Sequence, residues 1–118
     1  MTTKNDKPEN ETKLETQLNV LRELETNPAV SQRQLASHLG VSLGSVNYCL
    51  RALVDKGFVK AENFRSNPAK VQYLYILTPS GLSEKTRLTL AFLERKQAEY
   101  HRLQNEIEDL KGELNEHG

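Results

Sequence analysis

Residues 31–57, SQRQLASHLGVSLGSVNYCLRALVDKG, constrain the fold of this chain more than any other stretch. Ser31 followed by Gln34 fits a capping box, in which each residue satisfies a backbone N–H of the other end. Leu35, Ala36 and Leu39 then form a short apolar face, and Gly40 is a natural helix stop. Two residues later Ser42 offers a second N-cap, and Val46, Leu50, Leu53 and Val54 recur at helical spacing until Gly57. Two short helices separated only by Gly40-Val41-Ser42 must cross steeply, which leaves the first turns of the second helix projecting.

The flanking segments complete the pattern. Leu14, Leu18, Leu21 and Leu24 predict a preceding helix that ends before Asn27-Pro28. After Gly57, FVKAENFR and VQYLYILT are rich in β-branched and aromatic residues, and SNPAK between them reads as a turn with basic character. Thr78 as N-cap and Pro79 at the first helical position open a long helical pattern reaching about Glu116, roughly 55 Å at 1.5 Å per residue. The expected fold is mainly α with a small β-hairpin wing, a winged helix-turn-helix followed by a long C-terminal helix. The expected division is a disordered polar tail over 1–11, the winged helix-turn-helix over 12–78 and a dimerisation helix over 79–118.

Charge narrows the function. The 118 residues carry no net charge, yet residues 31–78 hold six basic against two acidic side chains, net +4, while the segments on either side are each net −2. Local charge attracts phosphates, and here it falls on the projecting helix and the hairpin. With Val46, Leu50, Leu53 and Val54 inward, Leu43, Gly44, Ser45, Asn47, Tyr48 and Arg51 face outward. Ser42, Gly44 and Ser45 lie at the positive end of the helix dipole, where free N–H groups hold phosphate and small residues permit close approach. Asn47 suits adenine, and Arg51 suits guanine or a phosphate. Gln32, Arg33 and Gln34 open the preceding helix, where backbone contacts are usual. In the wing, Arg65, Asn67 and Lys70 are placed to reach a minor groove or its phosphates. Lys56 and Lys60 read as plain solvated charges. The expected partner is double-stranded DNA; the competing reading is a winged-helix protein-interaction adaptor whose polar face is merely solvated.

Other classes find little support. The sequence holds no glycine-rich phosphate loop, nucleophile elbow or metal-ligand spacing, so no enzyme, metal or cofactor is expected. The lone Cys49 reads as a small core residue rather than a redox sensor, and His38, His101 and His117 as surface residues. No apolar run approaches the roughly 20 residues that span a bilayer, the start has no signal-peptide core, and a cytoplasmic location is expected. Within the long helix, Leu93, Tyr100, Ile107 and Leu114 are seven apart, with Leu103 and Leu110 at the complementary positions. That seam predicts a homodimeric coiled coil of about three heptads, weakened at its start by Lys96. Glu106 and Lys111 flank it on opposite sides, which mildly favours parallel pairing. Leu82, Leu88, Phe92 and Leu93 are expected to pack in part on the chain's own domain.

QRQLASHLGVSLGSVNYCLRALVDKGFVKAENFR, then YLYILTPSG, then LAFLERKQAEYHRLQNEIEDL, resemble the MarR-type winged-helix regulators over roughly residues 14–112. More narrowly, SLGSVNYCL, ILTPSG and FLERKQAEY are similar to the short branch associated with bacterial exopolysaccharide gene clusters. The resemblance implies a bacterial transcription regulator that binds operator DNA as a homodimer and controls polysaccharide synthesis or export. Members of the wider family carry an additional N-terminal helix that joins the dimer and helps form a ligand pocket. Here about a dozen polar residues precede the first helix, which shifts the expected dimerisation onto the C-terminal helix and leaves any small-molecule effector unnamed.

Overall fold

The structure is a computed structural model that describes residues 9–67 and 70–117, with side chains over 11–63 and 72–116. The elements are α1 (Glu9–Thr26), α2 (Gln32–Leu39), α3 (Leu43–Asp55), β1 (Val59–Asn67), β2 (Lys70–Leu77) and α4 (Pro79–His117). This is the order expected of a winged helix-turn-helix followed by a long helix. Helix α1 takes in residues 9–11, which the sequence pattern assigns to the polar tail; residues 1–8 lie outside the described residues.

Three helices and the start of β1 share one core. Leu18, Val20, Leu21 and Leu24 of α1 meet Leu35 of α2 and Val46, Cys49, Leu50 and Leu53 of α3, with Val30 and Val59 also buried. Each buried Val or Leu contributes about 1.5–3 kcal/mol relative to exposure, so this apolar set supplies the main force fixing the angle of α3. One inward assignment is corrected. Val54 is 36% exposed, whereas Cys49 is 5% exposed. At about 100° per residue the stripe Val46-Cys49-Leu50-Leu53 follows the i, i+3, i+4, i+7 rule, and Val54 falls at its edge.

Local chemistry sets the junctions. The capping box forms as the sequence predicts: Gln34 N–H donates to Ser31 Oγ at 3.0 Å, and Ser31 N–H donates to Gln34 Oε1 at 2.9 Å. Gly40 ends α2 with φ 66°, a left-handed conformation that favours glycine. Ser42 then caps α3, its Oγ accepting from Ser45 N–H at 3.0 Å. Gly57, at φ 78°, turns the chain out of α3 and into the hairpin.

The hairpin is antiparallel, with Val59 opposite Leu77 and Arg65 opposite Val71, and a register shift between Arg65 and Asn67. Its strands run further toward the hairpin tip than the sequence pattern indicates, taking in residues 66–67 and 70; residues 68–69 lie outside the described residues. Tyr75 N–H donates to Pro28 O at 3.0 Å, tying β2 to the loop before α2. The first turn of α4 is stitched to the α3–β1 junction: Thr78 N–H donates to Phe58 O, and the Thr78 and Ser80 hydroxyls both donate to Gly57 O. Thr78 Oγ1 also accepts from Gly81 N–H at 3.0 Å, the expected N-cap.

The chain divides into two compact units, Met1–Leu88 and Thr89–Gly118. Of the four apolar side chains named in the sequence for such packing, Leu88 in the first unit is buried, and Phe92 in the second is buried as well. Leu82 and Leu93 are not, at 44% and 50% exposed. The buried residue in the first turn is instead Gly81, which sits where any side chain would strike the Phe58 carbonyl. Among the described residues no helix is long and apolar enough to cross a membrane.

Candidate nucleic-acid interface

The core contacts of α3 leave one continuous outward face. Ser42, Leu43, Gly44, Ser45, Asn47, Tyr48 and Arg51 are all exposed, as their spacing predicts. Capping by Ser42 uses the Ser45 N–H; Leu43 and Gly44 precede the first intrahelical donor, so their N–H groups point outward from the positive end of the helix. Gly44 has no packing reason to be glycine. A Cβ there would meet nothing closer than Ser42 Oγ at 3.9 Å. Arg51 forms no ion pair with another described residue.

The residues opening α2 divide into different environments. Arg33 is exposed, and Gln34 is committed through Oε1 to the capping box. Gln32 is half-buried: its Nε2 donates to the Tyr75 hydroxyl at 3.1 Å, and its Oε1 accepts from Asn47 Nδ2 at 3.3 Å. Nothing short-range in the sequence marks Tyr75 apart from Tyr73 two residues earlier. Lys13 of α1 is a second addition, its Nζ lying 5.8 Å from the centre of the Tyr48 ring. Cation–π contact at that range gives the exposed ring a fixed neighbour and adds positive charge beside α3.

In the wing, the side chains of Arg65, Asn67 and Lys70 lie outside the described residues. Their backbones stand at the far end of the hairpin, with Asn67 opposite Lys70. Lys60 is paired with Glu62 at 3.0 Å, while Lys56 is exposed at the C-cap of α3.

Beneath the start of α3, a groove of about 320 Å³ runs against α1, lined in part by Thr16, Ser45, Tyr48 and Cys49. Burial pushes the Cys49 thiol up to about 11, with Lys56 pulling weakly the other way, so the thiolate that reacts with oxidants or metals is disfavoured. Among the described residues no cluster of His, Cys, Asp and Glu is arranged to hold a metal ion. His38 lies 3.3 Å from Glu23, and His101 packs edge-on against Tyr100.

In the second unit, the seam residues are all exposed: Leu93, Tyr100, Leu103, Ile107, Leu110 and Leu114 range from 42% to 74%. The charge of Lys96, which interrupts the seam, is met by Glu99 at 3.5 Å within the same helix.

Comparison with known proteins agrees with this geometry. A family model described as winged helix-turn-helix DNA-binding matches residues 13–60, from α1 to the start of β1. No curated protein matches the chain in sequence. Among solved structures, a MarR transcriptional regulator from Methanosarcina mazei Go1 is 20% identical with a TM-score of 0.58, covering 75% of this chain and 67% of that one. A mutant of MepR from S. aureus is 23% identical with a TM-score of 0.59, covering 86% and 74%. The transcriptional repressor CouR, bound to a 23-mer DNA duplex, is 25% identical with a TM-score of 0.51, covering 61% and 49%. The chain therefore has a winged helix-turn-helix fold, similar to that of MarR regulators well beyond the segment matched by the family model.

Proposed function

We propose that the protein is a MarR-type transcriptional regulator that binds double-stranded DNA as a homodimer and controls genes for exopolysaccharide synthesis or export. The observation that carries the DNA-binding reading is the outward face of α3. It combines a glycine with no packing role, unspent N–H groups at a helix N-terminus and an arginine with no described ion-pair partner. A solvated adaptor face has no use for a glycine in the first turn of α3, where alanine is the better helix former. A duplex backbone pressed against the helix start does.

In this reading Ser42, Gly44 and Ser45 seat a phosphate on the helix N-terminus, with Asn47, Tyr48 and Arg51 directed at base edges. Arg33 and the wing residues Arg65, Asn67 and Lys70 add phosphate or minor-groove contacts. Two protomers join through the exposed seam of α4, whose six large apolar side chains are otherwise left in water. Parallel pairing brings Glu106 near the partner's Lys111. The two recognition helices then enter successive major grooves of a pseudo-palindromic site, with half-site centres about 34 Å apart. The exopolysaccharide assignment rests on the narrow resemblance of SLGSVNYCL, ILTPSG and FLERKQAEY.

The test is a titration of generic duplex DNA at several salt concentrations. Contacts to several phosphates make the logarithm of affinity fall with log salt at a slope of about −0.9 per phosphate. A steep slope, made shallower by Arg51→Ala if that residue meets a phosphate, supports the reading; no binding at low salt overturns it in favour of an adaptor.

A further inference from the structure

Three side chains, distant in sequence, connect the wing to the outward face of α3. Tyr75 on β2 accepts at its hydroxyl from Gln32 Nε2, and Gln32 Oε1 accepts from Asn47 Nδ2. The chain grows more exposed along its length: Tyr75 and Gln32 are half-buried, and Asn47 is exposed. Tyr75 is a firm anchor, because its own N–H is bonded to Pro28 O at 3.0 Å, outside the hairpin ladder. Gln32 is held at the backbone as the first residue of α2, directly after the capping serine.

This arrangement determines what Asn47 offers to a ligand. An asparagine amide has two N–H donors and one carbonyl acceptor. One N–H is committed to Gln32 Oε1, which leaves one donor and the acceptor. In the major groove adenine presents N7 as acceptor and the N6 amino group as donor, the complement of that remaining pair. A glutamine side chain has three rotatable bonds, and one weak contact at its tip does not hold it in place. The Tyr75 hydroxyl supplies the second point of attachment.

We infer that Tyr75 is a positioning residue for base recognition: acting through Gln32, it holds the Asn47 amide with one N–H and its carbonyl presented to adenine. The wing thereby sets specificity at a base pair that Tyr75 itself has no need to touch. The inference rests on the DNA-binding reading above and extends it to a residue outside the recognition helix. It also gives Gln32 a different task from its neighbour Arg33, which is exposed and makes no such bonds.

The experiment exposes the full chain to a duplex pool with a randomised core and sequences what is retained. Wild type, Tyr75→Phe, Gln32→Ala and Asn47→Ala are compared. Wild type is expected to select a motif with adenine at one position of each half-site, and Asn47→Ala to erase that preference alone. Tyr75→Phe and Gln32→Ala should each weaken it about three- to tenfold, the range set by freeing one flexible side chain at an interface. With Tyr75→Phe, preference at other positions and the salt dependence of binding to random duplex should not change. Adding Tyr75→Phe to Asn47→Ala should have no further effect at that position. Wild-type preference retained by Tyr75→Phe, or an even loss across all positions, overturns this inference and leaves DNA binding standing. A wild-type protein that retains no duplex at low salt overturns the DNA-binding reading itself.

Discussion

Alanine substitution at two glycines of the same helix should move stability in opposite directions. At Gly81, in the first turn of α4, an added Cβ would lie 2.0 Å from Phe58 O and 2.9 Å from its carbonyl carbon. Both are backbone atoms of a junction already tied to the helix. Relieving the clash needs a separation of about 1 Å or more, since Cβ atoms essentially never approach oxygen within 3.0 Å. The same movement stretches three hydrogen bonds: Thr78 N–H to Phe58 O at 3.1 Å, and the Thr78 and Ser80 hydroxyls to Gly57 O at 2.6 and 3.0 Å. Overpacking costs about 1–3 kcal/mol and the loosened hydrogen bonds about 1–2 kcal/mol more. Alanine's better helix propensity offsets about 1 kcal/mol of this. Gly81→Ala should therefore destabilise the protein by about 1–4 kcal/mol. Gly112 has nothing within 4 Å of its added Cβ and occupies an outer position relative to the seam, so Gly112→Ala should stabilise its helix by up to about 1 kcal/mol. Urea titrations followed by far-ultraviolet circular dichroism read both. Equal shifts of the same sign would refute the claim that close approach at Phe58, rather than helix propensity, decides the residue at 81.

Two further outcomes follow from the seam and the core. Ile107→Asp places a charge in the middle of the exposed apolar stripe of α4 and should convert dimers to monomers in sedimentation velocity; a dimer of unchanged strength would refute pairing through α4. Cys49 should resist alkylation in the native protein at neutral pH and react on unfolding. Its folded pKa is raised from 9.0 to about 11, so its contribution to stability is intact below about pH 9 and lost as pH climbs through 11. Stability of the wild type should fall more across that window than that of Cys49→Ala, and parallel pH curves would contradict the assignment.

How much of this protein is legible in the sequence depends on the range over which each feature is decided. The capping box at Ser31–Gln34, the left-handed turn at Gly40, the N-cap at Ser42 and the start of α4 at Thr78-Pro79 are all local. Each needs only a few neighbouring residues, and each forms where the pattern places it. The outward face of α3 is nearly as local, because helical periodicity ties it to the buried stripe. Periodicity has an angular tolerance, however: Cys49 is buried as the sequence reading expects, while Val54, at the edge of the stripe, is left out of the packed core.

Local rules account for the order and type of the elements, the caps that bound them, the outward polar face of α3 and the apolar repeat of α4. These are consequences of backbone propensity and of the 3.6- and 2-residue periods, which act within one element. Tertiary structure alone decided the rest. It brought the Phe58 carbonyl against Gly81, set Lys13 beside Tyr48, and joined Tyr75 through Gln32 to Asn47 across separations of 43 and 15 residues. No short-range rule marks these residues, because each meeting depends on how separate elements pack. Burial of the leucine core sets that packing, and the polar contacts form where the packed surfaces bring donor and acceptor within reach.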